Sequence, residues 1–196
     1  LSDAAEKPKT IGQFYVRGQA PAENRSQDDF YPTPPEMTEA LLSVERFQGR
    51  VLEPACGDGA MSRVLEDAGY SVESLDLVDR GYGVGGRDFL LERGPVENIV
   101  TNPPFKLVEP FIYHALSRAT RKVAMLGRLG LLEGQQRRKL WDAHPVARVW
   151  VFSRRISCIK PGDAEYGSRG GKGGMIAYAW YVWDRSHRGP SEIGWI

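Results

Sequence analysis

The chain has 196 residues, a formal net charge of +1, 41% hydrophobic and 26% charged residues, and two cysteines. These values describe one ordinary globular unit and exclude a collagen-like repeat and a small disulfide scaffold, while no apolar run approaches the roughly 18 residues a bilayer span needs. No signal-peptide pattern opens the chain, and Cys56 and Cys158 have neither disulfide-framework nor metal-site spacing, so no metal, no membrane and a reducing, cytoplasmic setting are expected.

Residues 1–27 are polar and aperiodic, as expected of a flexible N-terminal arm, and residues 28–196 are expected to form a single domain. Asp28 to Pro35 reads as extended. Pro35–Val44 predicts a helix, with Pro35 in its first turn and Met37, Leu41 and Leu42 on one face. Short apolar runs then alternate with helical patterns. Strands are expected at 50–52, 71–77, 88–90, 98–101, 122–126, 147–152 and 175–183, and helices at 59–68, 108–119 and 135–143. This alternation predicts an α/β fold with a mostly parallel seven-stranded sheet. The last two predicted strands are joined by a Gly-rich stretch without a helix, so one of them should run antiparallel near the C-terminus.

The charge is unevenly spread. Residues 1–117 hold 11 Lys/Arg and 19 Asp/Glu, a net of −8, whereas residues 118–174 hold 13 and 4, a net of +9. A basic block of that size is a candidate footprint for a polyanion.

Four constellations carry chemistry. In Glu53-Pro54-Ala55-Cys56-Gly57-Asp58-Gly59 an acid ends a predicted strand and a turn of small residues opens a helix, so a ligand can approach the backbone at the strand's carboxyl end. Asp58 in that turn would repel phosphate and favours a cationic or neutral ligand. Asp76, beside Leu77 at the end of the next strand, can accept ribose hydroxyls, with Asp79 as a competitor. The following Gly81–Gly86 run matches G-x-G-x-x-G but opens no helix, and reads as a flexible surface loop. Asp88-Phe89 places an acid beside an aromatic that could bond and stack on a purine.

The sharpest signal is Asn102-Pro103-Pro104-Phe105, straight after an apolar run. Two prolines stiffen the turn and remove donors, so the Asn102 amide oxygen and nearby carbonyls stand as fixed acceptors, with Phe105 as a flat face. That is a site for a planar NH2 group on a ring or an amide. Acceptors on both hydrogens favour the pyramidal, nucleophilic nitrogen and stabilise charge developing on it. His114, His144 and His187 show no partner pattern, and Cys56 has no neighbouring base.

Together these motifs resemble the class I amino-methyltransferases that use S-adenosylmethionine, and imply their Rossmann-like fold. The resemblance makes Glu53, Pro54, Ala55, Cys56, Gly57 and Asp58 the methionine-binding loop, and Asp76 with Leu77 the ribose end. Asp88 and Phe89 become the adenine pair, and Asn102 to Phe105 the catalytic tetrapeptide. Upstream, Tyr31, Thr33 and Pro34 lie in a segment similar to the one that closes over the cofactor. Arg128 to Arg137 and Val149 to Ile156 are similar to blocks of phage-type DNA N6-adenine methyltransferases.

The implied substrate is adenine in DNA, in a bacterial or phage-infected cell. The same chemistry on RNA adenine or protein glutamine, and a silent nucleic-acid-binding relative, are the alternatives. Candidate nucleic-acid contacts are Arg128, Arg154, Arg155 and Lys160, with Arg169 and Lys172 in a basic Gly-rich stretch. About 90 residues follow Phe105, so no separate large target-recognition domain is expected.

Overall fold

The computed structural model describes residues 30–154, 156 and 176–196. Helix α1, Pro35–Val44, begins on Pro34 as cap, with a proline in its first turn, and buries Met37, Thr38 and Leu41. Strand β1, Val51–Glu53, is wholly buried. Helix α2, Ala60–Asp67, follows from Gly59 at φ 85° and buries Met61, Ser62 and Leu65. Strands β2, Val72–Ser74, and β3, Val96–Thr101, flank β1 in parallel. Helix α3, Val108–Arg118, crosses to β4, Ala119–Arg128, which lies parallel to β3. Helix α4, Gln135–Ala143, leads to β5, Arg148–Val151, and the chain ends in β6, Tyr178–Asp184, and β7, Glu192–Trp195.

The sheet order is β2-β1-β3-β4-β6-β5-β7. Strand β6 runs antiparallel to both β4 and β5, and the remaining pairs are parallel. The α/β class, the seven strands and the single antiparallel strand match the expectation. Two strands trade places in reaching that number. The strand expected at Asp88–Leu90 is a 3-10 turn, Phe89–Leu91, because the Asp88 carboxylate accepts the Leu90 N–H and caps the turn. The unpredicted β7 supplies the seventh strand. It lies along β5, and Gly194 sits so close to the Trp150 ring that a Cβ there would overlap it.

The Gly81–Gly86 run is a loop, though a pinned one. Val84 donates to the Ser74 carbonyl at 2.9 Å and accepts from the Asp76 N–H at 3.1 Å, forming a bridge where an outer strand would lie. The arm at 1–27 and the Gly-rich stretch fall outside the described residues.

Period-two alternation divides the core. On β4, Val123 and Met125 face the α3–α4 layer, with Ile99, Phe111, Ile112 and Tyr181. Ala124 and Leu126 face the α1–α2 layer, with Met37, Leu41, Met61 and Trp180. Leu41 is fully buried, so Leu41→Ala would cost about 2–5 kcal/mol. Helix α1 is also fixed from below, where the Trp180 indole donates to the Met37 carbonyl at 2.8 Å.

At its end Glu45, 3% exposed, accepts from Lys122 at 2.7 Å, Arg148 at 2.5 Å and Trp150 at 3.0 Å. Arg148 also reaches Asp184 at 2.8 Å, so two cations meet two anions. These contacts fix α1, and the Phe30–Pro34 segment that leads into it lies against the turns that follow β1 and β3. Chain order switches direction between those strands, the position at which doubly wound sheets take ligands. Among the described residues no helix is long and apolar enough to cross a membrane.

Candidate functional site

The turn after β1 is shaped by Gly57, at φ 58°, whose N–H donates to Asp76 Oδ2 at 2.8 Å. The other Asp76 oxygen accepts the Val78 N–H at 2.8 Å. Asp76 therefore links the β1 turn to the segment after β2, two residues past the strand end. Its neighbour Leu77 is 62% exposed, an apolar side chain standing beside a carboxylate. Asp58 caps the start of α2, its Oδ1 accepting the Ala60 N–H at 3.2 Å.

Glu53 is not the open acid that its place in the sequence suggested. It is 2% exposed, Ser62 donates to it, and Ser62 in turn lies 2.7 Å from the Ser74 hydroxyl. Burial, reinforced by Asp76, pushes its carboxyl up to about 8. It is thus a neutral strut joining β1, α2 and β2. Cys56 is also buried, and burial, then Glu53 and Asp76, push its thiol up to about 12, which removes it as a nucleophile at neutral pH. Pro54 is buried and Ala55 partly so, shaping the wall of the turn.

Asp88 serves the cap already described. Phe89 is 2% exposed, with Phe111 at 4.9 Å and His114 at 4.8 Å between ring centroids. It is a core wall rather than the free stacking face anticipated.

After β3, the Asn102 amide Nδ2 donates to Thr33 Oγ1 at 3.1 Å, which turns Oδ1 away as an acceptor. The Pro104 carbonyl accepts the Leu107 N–H at 2.8 Å, whereas among the described residues nothing donates to the Pro103 carbonyl. Phe105 is half-buried. Tyr31 lies 5.8 Å and Tyr178 6.4 Å from its centroid, both tilted, and the Arg128 guanidinium sits 4.4 Å over its ring.

The segment before α1 reaches both turns. Thr33 is on Asn102, and the Phe30 ring packs so tightly on Gly57 that a Cβ there would collide with it. Arg80 covers Phe30 at 4.2 Å. Tyr82 covers Gly59 and donates to Glu66 at 2.9 Å. Arg80 and Tyr178 carry no motif in the sequence, and Tyr82 lies in the Gly81–Gly86 run that reads only as a surface loop. Only the Arg128–Tyr178 register places Tyr178 by the tetrapeptide.

The basic footprint shrinks in three dimensions. Lys122 and Arg148 are neutralised by Glu45 and Asp184, Arg137 pairs with Glu109 at 3.0 Å, and Arg138 with Asp142 at 2.8 Å. Arg128 and Arg154 stay exposed without an ion pair among the described residues. Arg155, Lys160, Arg169 and Lys172 lie outside those residues. Among the described residues no group of three or more His, Cys, Asp or Glu is placed to hold a metal ion.

Among solved structures, a candidate RNA methyltransferase from Pyrococcus horikoshii superposes with a TM-score of 0.60 at 15% identity, over 87% of this chain and 95% of that one. The modification subunit of a candidate type I restriction enzyme from Vibrio vulnificus gives 0.55 at 16% identity, over 87% of this chain and 46% of that one. A dimethyladenosine transferase from Plasmodium falciparum gives 0.52 at 13% identity, over 79% and 62%. No protein-family model matches the sequence, and no curated protein matches it. At these identities the likeness establishes the fold, which is the Rossmann-like fold of class I methyltransferases.

Proposed function

We propose that the protein transfers a methyl group from S-adenosylmethionine to the exocyclic amino group of adenine in DNA, as in the phage-type enzymes it resembles. The observation that carries this reading is the Asn102 amide, whose Nδ2 is held by Thr33 so that Oδ1 is presented as an acceptor beside the Phe105 ring and a Pro103 carbonyl that accepts no hydrogen bond among the described residues. The neighbouring folds named for RNA methylation, restriction modification and dimethyladenosine support a nucleic-acid substrate.

The residues present fit the cofactor. The left-handed Gly57 adds no side chain of its own to the β1 turn, which the Phe30 ring covers, Asp76 offers carboxylate oxygens for ribose hydroxyls, and exposed Leu77 offers an apolar surface for the purine. Tyr31, Thr33 and Pro34 cover the methionine end. The cofactor, when bound, supplies an electrophilic methyl group on a cationic sulfur.

The protein's own contribution is positioning and acceptors aimed in advance. Adenine must leave the helical stack to expose its amino group. Phe105 stacks on the base, and Asn102 Oδ1 and the Pro103 carbonyl take the two amino hydrogens. This would leave the nitrogen lone pair free to act as the nucleophile. The nitrogen becomes acidic only after alkylation, so its proton passes to solvent without a strong base. Residues 28–196 act as one methyltransferase domain in a cytoplasmic setting, with sequence readout by loops, the N-terminal arm or a second subunit.

Incubation with methyl-labelled S-adenosylmethionine and separate DNA, RNA and protein pools tests the reading. Label on N6 of adenine in DNA is expected. Label confined to RNA would transfer the same chemistry to RNA adenine, the reading favoured by the Pyrococcus horikoshii likeness. Label in none of the pools would overturn the catalytic reading.

A further inference from the structure

We infer that Arg128 is a placeholder for the substrate base: its guanidinium holds the face of Phe105 until the base arrives, then moves to a nucleic-acid phosphate. The inference rests on the reading above, in which Phe105 stacks on an extruded adenine.

The guanidinium is planar and stacks on aromatic faces, so at 4.4 Å from the Phe105 centroid it imitates a stacked base. A base cannot take that face while Arg128 is there. Its attachment permits the exchange. The Arg128 backbone is fixed, because the Tyr181 hydroxyl donates to its carbonyl at 2.9 Å and the next N–H, of Leu129, donates to the Ala177 carbonyl at 2.8 Å. The side chain itself is exposed and, among the described residues, makes neither an ion pair nor a hydrogen bond.

Other cations of the basic block differ: Lys122, Arg137, Arg138 and Arg148 are each committed to a carboxylate. Among the described residues Arg128 is held by a ring contact alone, which leaves it available to be traded for a phosphate. Base–aromatic stacking is stronger than an exposed cation–ring contact, so the base wins the face and Arg128 is released towards the backbone that delivered it.

Two binding measurements on the full chain separate this role from that of an ordinary surface cation. Duplex DNA affinity is measured over a salt series for wild type, Arg128→Ala and Arg128→Lys. Adenosine binding is measured by equilibrium dialysis with S-adenosylhomocysteine in excess to fill the cofactor site. In Arg128→Ala the slope of log affinity against log salt should become shallower by about 1, one phosphate contact, and Arg128→Lys should restore it. Adenosine should bind Arg128→Ala about threefold more tightly or better, because nothing has to be displaced.

An unchanged salt slope, or adenosine binding that is equal, weaker or absent, overturns the inference. The two failures are distinguishable. A wild-type protein that places no label on nucleic acid fails the functional reading. One that labels DNA while Arg128→Ala leaves both binding measurements unchanged fails the placeholder alone.

Discussion

Asn102 and Thr33 are joined by a 3.1 Å hydrogen bond across 69 residues of sequence, the amide donating and the hydroxyl accepting. The bond fixes which end of the amide is left as the acceptor. Asn102→Ala is therefore predicted to bind cofactor within about threefold of wild type and to lose about 10²–10³-fold or more in methyl transfer. Thr33→Val, which keeps the shape and removes the acceptor, should lower kcat about tenfold, and Thr33→Ser should recover it. Steady-state kinetics on labelled cofactor decide the matter, and near-normal turnover in Asn102→Ala would sink the assignment.

Asp76 ties Gly57 to Val78 through two backbone bonds of 2.8 Å and is proposed to take the ribose hydroxyls. Asp76→Asn removes the charge that strengthens those bonds. Hydrogen bonds to a charged group are worth about 1.5–3 kcal/mol, so cofactor affinity should fall roughly tenfold to a hundredfold. Calorimetric titration with S-adenosylhomocysteine measures this, and an unaltered affinity would place the ribose elsewhere.

Glu53 gives a pH signature of stability. Burial raises its carboxyl from an ordinary 4.5 to about 8, so between those values the folded chain holds a proton that the unfolded chain has released. Stability then falls as pH rises through that window, by up to about 1.4 kcal/mol per pH unit, and levels off above it. Glu53→Gln should lack this dependence and gain on wild type steadily from pH 5 to pH 8. Urea midpoints at three pH values compare the two proteins, and parallel curves would contradict the assignment.

The Glu45 cluster works in the opposite sense. Burial alone would raise its carboxyl, yet bonds from Arg148, Lys122 and Trp150 outweigh burial and hold it below its ordinary value. That stability is present above the unfolded value and is lost as pH falls below it. Glu45→Gln leaves Arg148 and Lys122 short of a carboxylate, at a cost of about 3–5 kcal/mol near neutrality. The deficit should narrow in acid, as thermal melts at pH 7 and pH 3.5 can show.

What the sequence made legible was local chemistry. Helices at 35–44 and 135–143 have the expected bounds, the first marked by its proline start and by Met37, Leu41 and Leu42 on one face. The tetrapeptide announced its acceptors because two prolines leave a turn few alternatives. Long-range pairing was hidden. Glu45 meets partners 77, 103 and 105 residues away, so a block of positive charge looked available when much of it was already neutralised. Strand β7 has four residues with exposed Ile193 and Trp195, and its identity comes from the β5 backbone rather than from a buried face. Asp88 looked like a strand start because a carboxylate that caps its own turn leaves no periodicity.

The short stretch from Phe30 to Thr33 touches the Gly57 turn at one end and Asn102 at the other. Anything that shifts it at one turn shifts it at the other. The two proposed ligand sites would then share a single conformational equilibrium. By thermodynamic reciprocity, whatever factor the first ligand imposes on the affinity of the second, the second returns to the first.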